Sequence, residues 1–375
     1  MTHAALPHKD DFDLAVEEGW LVSKPCPLGR PLTLYTYTAE TQWQRHWTPV
    51  TTAARGLVLH DDGHAVARPF DKFFNLGEAE STKPEVLPAS VPQLAEKYDG
   101  SLIIVFADST EGSREHWRAV TRGSWESPQA QRAQQWLDAS EHLRRVLAPG
   151  TTYMFEYCSP SNRIVVPYAN EQFVLLGRRH PDGNVDDYEM ARRVGEALAD
   201  FAPLLTPLSY VERPLASFNA AASLADSAEG FVALWPEHGL RVKLKYDEYK
   251  RLHRLLTEFS RKALWECMAT GAAMPDLKRV PDDFRQWFKT ERDELQARFD
   301  ATAAAAFGTI LAGRKRQEIE RKAFAAAVEK FPLNLHPILF KLFDGKTTAS
   351  IVWKQIKPRA EQAASTFQQP EGAEA

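Results

Sequence analysis

Near Tyr246 the period of the hydrophobic pattern changes, and that change constrains the fold more than any other feature of the chain. Before it, short runs rich in β-branched and aromatic residues recur: Ser101–Phe106, Tyr153–Tyr157, Phe173–Leu176 and Phe231–Trp235. Turn formers bound them, namely Asp99-Gly100, Pro149-Gly150, Pro181-Asp182-Gly183 and Glu237-His238-Gly239. Such runs read as strands. Spacings of three and four predict two helices among them. One covers Pro128 to Leu147, with Trp136, Leu137, Leu143 and Leu147 on one side; the other covers Tyr188 to Phe201, with Ala191, Val194, Ala197 and Leu198. After Tyr246 the spacing is helical throughout: Leu252, Leu255, Leu256 and Phe259, then Phe284, Trp287 and Phe288, then Ile319, Phe324, Ala327 and Val328. The expected architecture is α+β over residues 1–248, antiparallel sheets with flanking helices, then an all-helical domain over 249–360. The tail, 361–375, is short of aromatic and branched residues and is expected to be disordered.

With 375 residues, 44% of them hydrophobic, the chain can bury a large core. No apolar run approaches the roughly 18 residues that a bilayer crossing needs, and the N-terminal residues lack the apolar stretch of a signal peptide. Cys26, Cys158 and Cys267 are odd in number and far apart, so neither a disulfide framework nor a zinc cluster is expected. His60, His64, His253 and His336 show no ligand or triad spacing and read as structural. These features point to the cytoplasm. The net charge of −4 hides an asymmetry: residues 1–250 carry −9 and residues 251–375 carry +5. The C-terminal third is therefore the better candidate for phosphate backbones, with Arg314-Lys315-Arg316 and Arg321-Lys322 as its densest basic clusters. A solvated helix face balanced by Glu318 and Glu320 accounts for those clusters equally well.

The chemistry concentrates around Lys97, in Glu96-Lys97-Tyr98-Asp99-Gly100-Ser101. A lysine before an Asp-Gly turn is commonplace, and alone it reads as an exposed hairpin. A lysine that attacks phosphorus must first lose its proton, which nearby positive charge and partial burial favour. Val242-Lys243-Leu244-Lys245 places two further lysines on one face of a strand. Glu156 and Glu229 each lie among apolar strand residues, where a carboxylate is costly unless paired or ligating. A hydrated Mg²⁺ takes one or two such carboxylates together with phosphate oxygens.

These residues, in this order, resemble the covalent nucleotidyltransferases, and within them the RNA ligase 1 family of T-even phages. The resembling elements are Arg55-Gly56, the segment Pro69-Phe70-Asp71-Lys72-Phe73-Phe74-Asn75, Lys97-Tyr98-Asp99-Gly100, Thr121-Arg122-Gly123-Ser124, Phe155-Glu156-Tyr157 with Ser159 to Val165, Glu229-Gly230-Phe231-Val232 and Val242 to Tyr246. The likeness covers about residues 30–250 and returns in Leu342 to Lys346 and Ile351 to Pro358. One departure is Arg122, where the family has Lys.

The resemblance implies a nucleotidyltransferase (ATP-grasp-like ligase) fold and an ATP-dependent RNA ligase. It implies ATP with Mg²⁺ or Mn²⁺, and RNA bearing 5′-phosphate and 3′-hydroxyl ends, with repair of RNA such as tRNA as context. Lys97 is then the nucleophile that carries AMP. Arg55, Lys72, Lys243, Lys245 and Arg122 contact phosphates, Glu156 the ribose, and Phe74 and Val232 the adenine. Glu96 and Gly100 belong to the nucleotide site. Glu229 orients Lys97 or holds the metal's water shell; Asp99 orients Lys97 or contacts metal. Two other readings compete: a lysine-dependent capping enzyme or DNA ligase, which would carry a β-barrel after Tyr246, and a catalytically silent RNA-binding relative.

Overall fold

The computed structural model describes residues 6–108, 116–221, 228–312 and 320–359, the side chains of 307–312 excepted. The chain divides into two compact units at Lys250 and Arg251.

The first unit holds three sheets. Strands β1 (Leu21–Pro25), β2 (Leu32–Tyr37), β3 (Arg55–His60) and β4 (Ala65–Ala67) form an antiparallel meander in that order. The second sheet takes β5 (Phe74–Asn75) and β6 (Gln93–Lys97), and the third takes β7 (Ser101–Ala107), β8 (Trp117–Thr121), β9 (Thr152–Cys158), β10 (Gln172–Arg179) and β11 (Leu205–Thr206). Strands β12 (Tyr210–Glu212), β13 (Gly230–Trp235) and β14 (Leu240–Lys245) return to the second sheet, whose order is β12-β6-β13-β14-β5; the third sheet runs β11-β10-β9-β7-β8. Most pairings are antiparallel; β10 with β11 and β14 with β5 are parallel.

Alternation along each strand decides what it packs against. In β7, Ile103 and Val105 face the helix Pro128–Ala139 and meet Ala133, Trp136 and Leu137. Ile104 and Phe106 face the meander and meet Leu34 and Val58. On the second sheet, Leu94, Ala233, Trp235, Val242 and Leu244 share one face and one apolar cluster. Its other face carries Ala95, Val232 and Leu234 against Cys158, Val174 and Tyr188. Burying each large side chain of this kind contributes roughly 1.5–3 kcal/mol.

The helix expected from Pro128 to Leu147 is two, Pro128–Ala139 and Glu141–Val146. Ser140 interrupts it with φ −99° and ψ 64°. Its hydroxyl donates to the Trp136 carbonyl at 2.8 Å, the local competition by which serine disfavours a helix interior. The helix expected from Tyr188 to Phe201 forms as Tyr188–Ala199, capped by Asp187 onto the Met190 N–H.

The second unit is helical. Its elements include Arg261–Thr270, Asp282–Ala312, Arg321–Val328, His336–Phe343 and Ala349–Gln355. Ala306, Val328, Leu335, Ile338, Leu339 and Val352 form one of its buried clusters. Among the described residues no helix is long and apolar enough to cross a membrane. The α+β expectation therefore holds, with antiparallel-rich sheets and a helical C-terminal region. Arg314-Lys315-Arg316, Ile319 and the tail from 361 onward lie outside the described residues.

Candidate active site

The register of the second sheet builds the site. Gly230 pairs with Lys97 on one side and with Lys245 on the other, while Val232 pairs with Ala95 and Lys243. Side chains alternate between faces, so Lys97, Val232, Lys243 and Lys245 share the face turned toward the third sheet. Glu229 immediately precedes β13 and stands between the outer pair. Lys97 Nζ donates to Glu229 Oε2 at 2.8 Å, and Lys245 Nζ lies 2.9 Å from Glu229 Oε1. The carboxylate is 2% exposed, against 14% and 21% for the two lysine side chains.

Two glycines make this closeness feasible. Gly230 has φ +147°, and a Cβ there would lie 1.8 Å from the Leu244 carbonyl oxygen. A Cβ on Gly100 would lie 2.2 Å from the Tyr157 carbonyl oxygen. Only a residue without a side chain fits either place. The Gly100 N–H donates to Glu156 Oε1 at 3.0 Å, tying the turn after Lys97 to β9.

One pocket gathers Arg55, Glu96, Lys97, Glu156, Val232 and Lys243. Arg55 and Lys243 are buried. The Lys243 ammonium lies 5.0 Å and the Arg55 guanidinium 5.8 Å from the centre of the Phe73 ring, within cation–π range. Burial pushes the Glu96 carboxyl above the ordinary carboxylate range.

Lys72, Phe74 and Arg122 do not line that pocket. Lys72 and Phe74 border a neighbouring cavity of about 400 Å³, which shares Phe70, Phe73 and Arg241 with the first. Lys72 Nζ sits among three rings, 5.1 Å from Trp47, 5.5 Å from Tyr37 and 5.7 Å from Phe74. Arg122 donates to the Tyr37 hydroxyl at 2.8 Å and lies 4.9 Å from the centre of that ring. Tyr37 thus joins Lys72 to Arg122. Phe73, not Phe74, lines the Lys97 pocket, and the Phe74 ring meets Trp47 at 5.6 Å.

Asp99 is buried. Its carboxylate accepts three hydrogen bonds: from the Val165 and Val166 N–H groups, each at 2.7 Å, and from the Tyr249 hydroxyl at 2.7 Å. Its own N–H donates to Tyr168 Oη at 2.8 Å. Both of its oxygens are thus engaged inside the protein. Burial, and then the charge of Glu229, raise its pKa against the three donors, which lower it.

Sequence reasoning missed Phe73, Tyr37, Arg241 and Tyr249. Arg241 had a signal, the same period of two as Lys243 and Lys245. Tyr37 and Tyr249 had none, since each is joined to its partner only by the fold.

An apolar-walled pocket holding a lysine paired to a buried glutamate, with further cations converging on it, defines a nucleotidyltransferase-like site. The RNA ligase family model matches residues 53–249, more than half of the chain, and the chain belongs to that family. A candidate RNA ligase of Thermovibrio ammonificans is 30% identical over 222 residues, which are 56% of this chain and 55% of that protein. The RNA ligase of Rhodothermus phage RM378 is 25% identical over 322 residues, 66% of this chain and 72% of the phage protein. The chain thus spans little more than half the length of the first of these relatives. An archaeal ATP-dependent RNA ligase, in its form 2 structure, is similar at a TM-score of 0.47 and 17% identity over 90% of this chain and 96% of that one, too loose a likeness to bear on the site.

Proposed function

We propose that this protein is an ATP-dependent RNA ligase that joins 5′-phosphate and 3′-hydroxyl RNA ends through an AMP-lysine at Lys97. The observation that carries the reading is the shared carboxylate: Lys97 and Lys245 both engage Glu229, at 2.8 and 2.9 Å. The pairing fixes the Lys97 amine at the end of β6, next to the Gly100 turn that is bonded to Glu156, where a nucleophile would be held in place.

In the first step Lys97 Nζ attacks the α-phosphorus of ATP. A P–N bond forms, the bond to the β-phosphate oxygen breaks, pyrophosphate leaves, and the lysine's proton passes to solvent. An oxygen of the RNA 5′-phosphate then attacks the AMP phosphorus, breaking the P–N bond and restoring Lys97. Finally the 3′-hydroxyl attacks the RNA 5′-phosphorus, loses its proton, and releases AMP. Arg55 and Lys243 neutralise phosphate charge at the pocket, Lys245 does so from beside Glu229, Lys72 from the neighbouring cavity, and Arg122 from its place on Tyr37. Positioning and charge neutralisation carry most of such catalysis. Glu156 faces the ribose, and Val232 with Phe73 packs the base. Asp99 acts as a positioning residue that fixes the turn after Lys97. Mg²⁺ would supply charge neutralisation at the phosphates; Glu156 and Glu96 line this pocket and Glu229 stands on Lys97, and these carboxylates would meet its water shell.

Incubation with α-labelled ATP and Mg²⁺, followed by denaturing electrophoresis, tests the reading. An acid-labile label on the wild type that is absent from Lys97→Ala is expected. Label from GTP in place of ATP would favour a capping-type enzyme. Circularisation of a 5′-phosphorylated oligoribonucleotide, with an oligodeoxyribonucleotide as control, tests the substrate class. Cleaved tRNA is the natural substrate that this reading favours.

A further inference from the structure

The turn between β3 and β4 brings the donor atoms of two histidines and an aspartate together, although the sequence spacing reads as structural. His60 N–H donates to the His64 carbonyl at 2.9 Å, and Gly63 N–H donates to the His60 carbonyl at 2.9 Å. Gly63 adopts φ +94°, as a three-residue hairpin loop closed by a glycine requires. The closure makes His60 and His64 a cross-strand pair, with rings stacked at 4.7 Å and 20°. Asp62, at the centre of the loop, turns back between them. Its Oδ1 lies 3.1 Å from His60 Nδ1 and 2.5 Å from His64 Nδ1, and it accepts the His64 N–H at 3.0 Å. His60 Nδ1 accepts the Asp62 N–H at 3.2 Å, a bond that a metal ion on that nitrogen would replace. One ligand atom from each of the three residues lies within 4.8 Å of the others.

We propose that His60, Asp62 and His64 form a binding site for a divalent transition-metal ion of the Zn²⁺, Ni²⁺ or Cu²⁺ class. Two imidazoles and one carboxylate are the donor set those ions take, and a hard cation such as Mg²⁺ prefers oxygen alone. Asp62 and His64 are exposed and His60 is half-buried, so the ion is reached from solvent and keeps water in its remaining positions. All three ligands come from five consecutive residues across one hairpin closure, so the ion would clip β3 to β4. Arg55 opens β3 and His60 closes it, which separates the cluster from the Lys97 pocket by about 16 Å of strand. The site is thus distinct from the ATP site and does not depend on the ligase reading.

Titration calorimetry of the full chain with ZnCl₂, and electron paramagnetic resonance with CuCl₂, test it. One ion per chain and a Cu²⁺ spectrum with hyperfine coupling from two imidazole nitrogens are expected. His60→Ala and His64→Ala should each weaken Zn²⁺ binding by about tenfold or more, and Asp62→Asn should weaken it as well. None of the three should change AMP transfer to Lys97 with Mg²⁺. The other nine histidines of the chain supply the background, so Zn²⁺ binding by the His60→Ala/His64→Ala double variant equal to that of the wild type would overturn the site. A wild-type Cu²⁺ spectrum without two-nitrogen coupling would overturn it even where a variant fails to fold.

Discussion

Lys97 donates to Glu229 across 132 positions of sequence at 2.8 Å, and the partner carboxylate is almost wholly buried. A buried carboxylate is stable only when paired, so this contact both holds the strand ends together and fixes the direction of the Lys97 amine.

Glu229→Gln keeps the shape of that side chain and removes its charge. Adenylyl transfer to Lys97 should fall by about 100-fold, the scale typical of one lost charge-stabilising group. Single-turnover labelling with α-labelled ATP on the folded fraction reads the effect. Unchanged labelling would show that Glu229 serves only the fold.

Arg122→Lys keeps the charge but loses the planar group that both bonds and covers Tyr37. A loss of about 1.4 kcal/mol, or tenfold, in the efficiency of adenylylation is expected. Tyr37→Phe should lose part of the same energy, and the double variant less than the sum of the two. Full additivity in that cycle would separate the two residues.

Gly100→Ala forces a methyl group into the Tyr157 carbonyl. Neither backbone can yield cheaply, so stability should fall by about 1–3 kcal/mol or more. Urea denaturation measures it, and a midpoint equal to that of the wild type would contradict the packing.

Asp99 carries a pH dependence. Its folded-state pKa is raised above the ordinary carboxylate value, chiefly by burial. Between those two values the folded protein holds more protons than the unfolded chain, so this group's contribution to stability falls as pH rises through the window. The unfolding free energy of the wild type minus that of Asp99→Asn should therefore slope downward with pH above about 4. An upward slope would mean that the three donors outweigh burial.

Burial pushes the Cys158 thiol far above its ordinary range, while Cys267 is only half-buried. Iodoacetamide at pH 8 should label Cys267 in the native protein and leave Cys158 untouched until denaturant is added, since the thiolate is the reactive form. Peptide mass mapping distinguishes the two.

The change of period near Tyr246 was enough to separate a sheet-built region from a helical one, because side-chain alternation and helical spacing are local properties of the chain. The same local rule put Lys243 and Lys245 on one strand face, and it applied equally to Arg241. The family elements brought Lys97, Glu156 and Glu229 to notice for the same reason: each is a short contiguous string. Gly100 and Gly230 stood in those strings, but the carbonyls that forbid a side chain at either position come from other strands.

What tertiary structure alone decided is which groups meet. Glu229 engages two lysines because Gly230 pairs with Lys97 and Lys245 at once, and register between distant strands is not written in any one of them. Phe73 and not Phe74 enters the Lys97 pocket, a choice between neighbours that depends on which face the third sheet covers. Asp99, read from sequence as a partner of Lys97 or a metal, is bonded by Val165, Val166 and Tyr249, and those bonds exist only once the loop after β9 and the helix Asp247–Glu258 have closed around it.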